Sequence, residues 1–192
     1  MKTLIASAAA LALLTACSQP ETAETPDAAA TSEATVTPEA AATPSPTASA
    51  SAETLALEGL GDLVIGKQIP DGSSFAERGA QAGGLDCRTV SSPDYPGVYA
   101  ITEDGVVRRI SVGSNSSVKL VEGIGPGSTE AQVMQAFPGF VSTPHKYVDA
   151  PAKYLTQPGD DPRLRFEIDA DGKVSVMHVG MMPQLGYVEG CA

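Results

Sequence analysis

Two cysteines, two histidines and two short motifs hold the side chains best suited to chemistry in the body of this 192-residue chain. Cys87 and Cys191 are an even pair, which points to a disulfide if the compartment is oxidising. Two buried thiols, or metal ligation together with His145 and His178, are the rival readings, but the scattered histidines lack zinc spacing. Glu167, Asp169, Asp171, Gly172 and Val174 follow the first half of a calcium loop, with alternating acids and glycine sixth. The twelfth position, which should supply a bidentate Glu, is His178, so a plain hairpin is the better reading. Ser116 and Lys119 have the spacing of a serine nucleophile activated by lysine, yet they sit among turn and strand formers instead of opening a helix. No Gly-x-Ser-x-Gly elbow, phosphate loop or Cys-x-x-Cys pair is present. The expectation is a protein with no catalytic group, no bound metal and no cofactor.

The remaining cysteine, Cys17, ends the run Leu14, Thr15, Ala16, Cys17. Lys2 gives the positive start and residues 4–14 are apolar but too short to span a bilayer. The pattern resembles bacterial lipoprotein signal peptides, which implies removal of residues 1–16 and lipidation of Cys17; a secretory signal with an accidental cysteine is the alternative. Acyl chains contribute about 0.8 kcal/mol per buried methylene, so several on one residue hold a protein at a membrane. Ser18, in place of Asp after the cysteine, favours the outer membrane under the enteric sorting rule. The expected location is the bacterial cell envelope.

Residues 17–53 read as a tether. From Ser18 onward they are Ala, Thr, Pro, Ser and Glu with six acidic side chains, no basic ones and no aromatic. Such a tract cannot bury enough apolar area to offset its conformational entropy. As a coil it reaches roughly 30–36 Å, and its Thr and Ser are possible glycosylation sites. Residues 54–192 have the length and apolar content of one domain with a real core. There acids outnumber bases seventeen to eleven, which argues against nucleic acid as a partner.

The elements that must position these groups come from an internal repeat. Tyr99, Ile101, Asp104, Gly105, Val107, Ile110, Val112 and Gly113 lie over Phe166, Ile168, Asp171, Gly172, Val174, Met177, Val179 and Gly180 at a constant offset of 67. Each copy reads as strand, Asp-Gly turn and strand. A related opening precedes each: Glu58-Gly59-Leu60-Gly61 and Glu122-Gly123-Ile124-Gly125. After the second opening, Thr129 and Gln132 make a capping box for a helix carrying Glu130, Val133, Met134 and Phe137, stopped at Pro138-Gly139. Residues 73–83 are expected to form the matching first helix, with Ser73 or Ser74 as cap. Further strands are expected at 89–90, 118–121 and 154–156. This predicts an α+β fold of two tandem helix-plus-antiparallel-hairpin repeats, with short helices packed on one face of an antiparallel sheet.

The Glu122-to-Gly125 opening, Gly127-Ser128-Thr129-Glu130, and the following Phe-Pro-Gly resemble the repeat of beta-lactamase inhibitory protein and small outer-membrane assembly lipoproteins. Pro144-His145-Lys146-Tyr147 and the ending Tyr187-Val188-Glu189-Gly190-Cys191 are similar to uncharacterised envelope lipoproteins. The resemblance implies a protein-binding module and no enzyme. His145, Lys146, Tyr147 and Tyr154, on an expected long loop after the second helix, are the candidate binding surface. The expected partner is an envelope protein or an inhibited hydrolase. Peptidoglycan or another glycan is the alternative, weakened by the absence of Trp.

Overall fold

A computed structural model describes residues 54–81, 84 and 86–191. The expected leader at 1–16 and the expected tether at 17–53, with the expected lipidation residue Cys17, lie outside the described residues. Twelve strands follow in order: β1 (Thr54–Leu55), β2 (Gly59–Leu60), β3 (Leu63–Val64), β4 (Ala76–Glu77), β5 (Cys87–Ser91), β6 (Val98–Glu103), β7 (Val106–Gly113), β8 (Lys119–Leu120), β9 (Val141–Pro144), β10 (Lys153–Thr156), β11 (Arg163–Ile168) and β12 (Val174–Gly180). The α-helix α1 (Glu130–Ala136) lies between β8 and β9, and a 3-10 turn (Gln184–Gly186) follows β12.

Eight strands make one antiparallel sheet in the order β4-β5-β6-β7-β12-β11-β10-β9. The sheet is therefore two four-stranded meanders that meet through their last strands, β7 and β12. Ser111 pairs with His178 at the centre of that seam, and these two residues are themselves 67 apart, so the seam is a pseudo-two-fold axis.

The expected α+β architecture is corrected here: the described residues are mostly β, and α1 is their only α-helix. It forms where expected because the box closes, with Thr129 Oγ1 accepting from the Gln132 amide and Gln132 Oε1 accepting from the Thr129 amide at 2.8 Å. No helix forms around 73–81. There the serines bond elsewhere: Ser73 Oγ accepts from the Phe75 amide and Ser74 pairs with Ser92. Gly72 and Gly79 flank a stretch too short to nucleate a helix, and Phe75 instead stacks on Tyr95 at 5.4 Å. The duplicated unit is thus a meander with no helix in common.

Alternation along the strands divides the sheet into two faces. One carries the main core: Val98, Ala100, Val107, Ile110 and Val112 from the first half, and Leu164, Phe166, Ile168, Met177 and Val179 from the second. Val133 and Phe137 of the α1 segment, with Leu55, Leu60, Leu63, Phe75 and Leu120 from the other connections, cover that face. The opposite face is buried too, but is polar; Arg109, Ser111 and His178 point there beside Ile101 and Tyr154.

The strand pairing alters the 67-residue alignment. Val98 pairs with Val112 and Ala100 with Ile110, while Leu164 pairs with Val179 and Phe166 with Met177. The second strands match at an offset of 67, but the first strands match at 66. The reason is the turn. Around Asp104 and Gly105, at φ of 51° and 77°, four residues separate the paired Thr102 and Val107, whereas five separate the paired Ile168 and Val174. One residue more between the paired positions reverses the side-chain parity, so Tyr99 lies on the polar face while its aligned partner Phe166 lies in the core.

Candidate functional site

The polar face holds a continuous hydrogen-bonded chain across the pseudo-axis. Ser111 Oγ and His178 Nδ1 are 2.8 Å apart, His178 Nε2 and Glu167 Oε1 are 3.1 Å apart, and His145 Nε2 lies 3.6 Å from Glu167 Oε2. The carboxylate can only accept, so His178 donates through Nε2 and accepts the Ser111 hydroxyl at Nδ1. His145 Nδ1 accepts the amides of Tyr147 and Val148, each at 3.1 Å, so its proton also sits on Nε2, facing Glu167. One carboxylate therefore anchors two imidazoles from opposite sides.

Local pairing explains how these groups meet. Tyr154 and Glu167 are register partners in β10 and β11, so His145, stacked on Tyr154 at 4.6 Å between ring centres, reaches the carboxylate. Arg165 lies over the same tyrosine at 4.0 Å. Burial pushes the Glu167 carboxyl up, but the hydrogen bonds and charge of His178 and His145 outweigh it and hold the group below its ordinary value. Burial lowers His178, and Arg109 adds to that effect against the pull of Glu167.

Hydroxyl, imidazole and carboxylate in sequence is the composition of a nucleophilic triad. Ser111 is 0% exposed and His178 3%, and neither lines the cavity beside β9 described below. The chain is built as a buried staple between the two halves and the 145–148 segment.

A second clamp holds the C-terminal segment over the same face. Cys87 and Cys191 are joined in a disulfide across 104 positions, as the even pair predicted. Arg109, 1% exposed, donates to the carbonyls of Gln184 and Tyr187, and its Nε has no hydrogen-bond partner among the described residues. Burial lowers its pKa from the arginine value, partly offset by Tyr99. In the chain-entropy model a bridge of this span stabilises by about 4.7 kcal/mol.

Of the sequence-predicted surface, the four residues do cluster, but in two layers. Tyr154, at 3% exposure, and the partly buried His145 stacked on it form its floor. Tyr147, at 58%, and the neighbouring Val148 stand outside. Lys146 lies over the Tyr147 ring and 4.0 Å from Glu189, linking this segment to the tail, where Tyr187 is also exposed. The segment does not follow the helix directly, as expected; β9 intervenes. Sequence reasoning missed Glu167 as the hub, having weighed it only as a calcium ligand. Its signal was available in the 67-residue spacing of Ser111 and His178, equivalent positions that a pseudo-two-fold seam must juxtapose.

The weaker motifs have structural partners. Asp169 Oδ1 accepts the amides of Asp171 and Lys173, closing the β11–β12 turn, and Ser116 Oγ accepts the Val118 amide. Among the described residues no three His, Cys, Asp or Glu side chains cluster as a metal site. No family model, no curated protein and no solved structure matches the chain.

Proposed function

We propose that the chain is a lipid-anchored, non-catalytic binding protein of the bacterial cell envelope, whose domain grips an envelope protein or an inhibited hydrolase. One observation carries this reading: Tyr147 and Val148 are exposed while the backbone beneath them is fixed by His145, which is itself tied to Glu167. An aromatic side chain on a pre-ordered support loses little entropy on binding, and tyrosine is enriched among residues that dominate interface energy. The composition of residues 18–53 supports a tether that carries the domain clear of the membrane.

Replacing Tyr147 with a photo-crosslinking amino acid in the full chain, in its native envelope, should yield one dominant adduct. Tyr187→Ala should weaken its formation. Diffuse labelling that is insensitive to Tyr187→Ala would reject the surface, and sedimentation with purified peptidoglycan would favour the glycan alternative. Cys17→Ser should move the protein out of the membrane fraction while the Cys87–Cys191 bridge still forms. Retention of that variant in the membrane would remove the anchor from the proposal.

A further inference from the structure

The two edges of the eight-stranded sheet are treated differently. At one edge, β4 is two residues long; Glu77 pairs with Arg88, and Arg78 bonds the carbonyls of Ser74 and Ser91. Short length and charge are the usual protections of an edge against another strand. At the other edge, β9 runs for four residues, Val-Ser-Thr-Pro, all exposed and none charged. Among the described residues it pairs with β10 along one side only. Only Pro144, at its end, acts as a stop.

Next to this bare edge is a cavity of about 390 Å³, walled by Ser142, Pro144, Val148, Ala150, Ala152 and Lys153. Free peptide groups beside a side-chain pocket are the two components of strand-addition sites: backbone bonds supply affinity and the pocket supplies selectivity. We infer that β9 and this cavity receive an extended segment of a partner protein, uncharged and alternating in apolar side chains, added as a ninth strand. The occupant follows from chemistry, because outward N–H and C=O groups along a strand are best satisfied by another extended backbone. This inference rests on the binding reading above and names its mode, since Tyr147 and Val148 lie three and four residues beyond the end of β9.

The test uses the full chain and a synthetic peptide of alternating threonine and valine with lysine ends, beside a copy N-methylated at every second residue. The unmodified peptide should bind and slow amide exchange selectively at 141–143, and the methylated copy should bind at least tenfold more weakly. Val141→Lys with Thr143→Lys, at exposed positions, should lose at least tenfold in affinity with an unchanged circular dichroism spectrum. Equal binding of the two peptides, protection elsewhere, or no protection at 141–143 at millimolar peptide would overturn the inference. So would a β9-dependent dimer, abolished by the lysine pair, since a second copy would then be the occupant. A failed peptide test with an intact, Tyr187-dependent adduct at position 147 would reject strand addition alone and leave the binding reading standing.

Discussion

The two halves of the sheet share a meander and diverge in what they do with it. The first half turns in two residues at Asp104-Gly105, ends in a charged edge, and holds the tail through Cys87 and Arg109. The second turns in five, is covered by Phe137 and Phe140 just after α1, and supplies three of the four groups in the polar chain. The first half therefore clamps the tail, and the second carries most of the polar chain. One additional residue between equivalent paired positions, five between Ile168 and Val174 against four between Thr102 and Val107, is enough to separate such roles, because it moves a whole strand's side chains to the opposite face.

The strongest way to break this comparison is at the aligned aromatics. Phe166→Ala empties a site in contact with Phe137 and Phe140 and should cost about 3–5 kcal/mol in denaturant unfolding. Tyr99→Ala, at the aligned but half-buried position, should cost less than half as much. Equal losses would mean that the two first strands present the same face after all.

Removing the clamp comes next. Cys87→Ser with Cys191→Ser should lower stability by about 2–5 kcal/mol, with hydrogen exchange rising first at 182–190 and leaving β11 and β12 protected. Exchange rising uniformly instead would show that the tail is no separate unit.

At the seam, Glu167→Gln should cost about 1.5–3 kcal/mol, as expected for hydrogen bonds to a charged group. The pH dependence has a defined sign. The lowered Glu167 pKa gives stability that is complete above its unfolded value of 4.5 and is lost as pH falls through the folded one. The lowered His178 pKa acts in the same direction, since below 6.5 the unfolded chain takes up a proton that the folded chain resists. Acid titration should thus destabilise the domain from about pH 6.5 downward, at no more than about 1.4 kcal/mol per pH unit for each group. His178→Gln should flatten the upper part of that slope, while Ser111→Ala, at the equivalent position of the other half, should leave the slope in place.

The smallest contrast lies in the paired turn glycines. Gly105 and Gly172 have φ of 77° and 72°, so alanine at either is strained by about 1–2 kcal/mol. A Cβ at 105 would also come within 2.5 Å of Gln68 Oε1, whereas at 172 it meets nothing. Gly105→Ala should therefore be the more damaging of the two in thermal unfolding.

Much of this domain was legible in the residues. Strand positions followed from alternation around the Asp-Gly pairs, α1 from a capping box that uses neighbours three apart, and the disulfide from cysteine parity. The missing first helix was not legible, because Ser73 and Ser74 suit a helix cap and a loop equally well until Ser92 is brought near. The parity change was hidden too: an ungapped alignment over the Asp-Gly pair cannot show that one turn pairs across four residues and the other across five.

By itself, then, the sequence determined the local terms: which segments alternate, where the helix begins, which cysteines are available, and the charge and composition of residues 18–53. The tertiary structure decided which face each strand presents, that Ser111 meets His178, and that Glu167 gathers two histidines lying far apart in sequence. The division has a physical cause. Alternation and capping depend on residues two to four positions apart, whereas register and burial depend on pairing between distant strands.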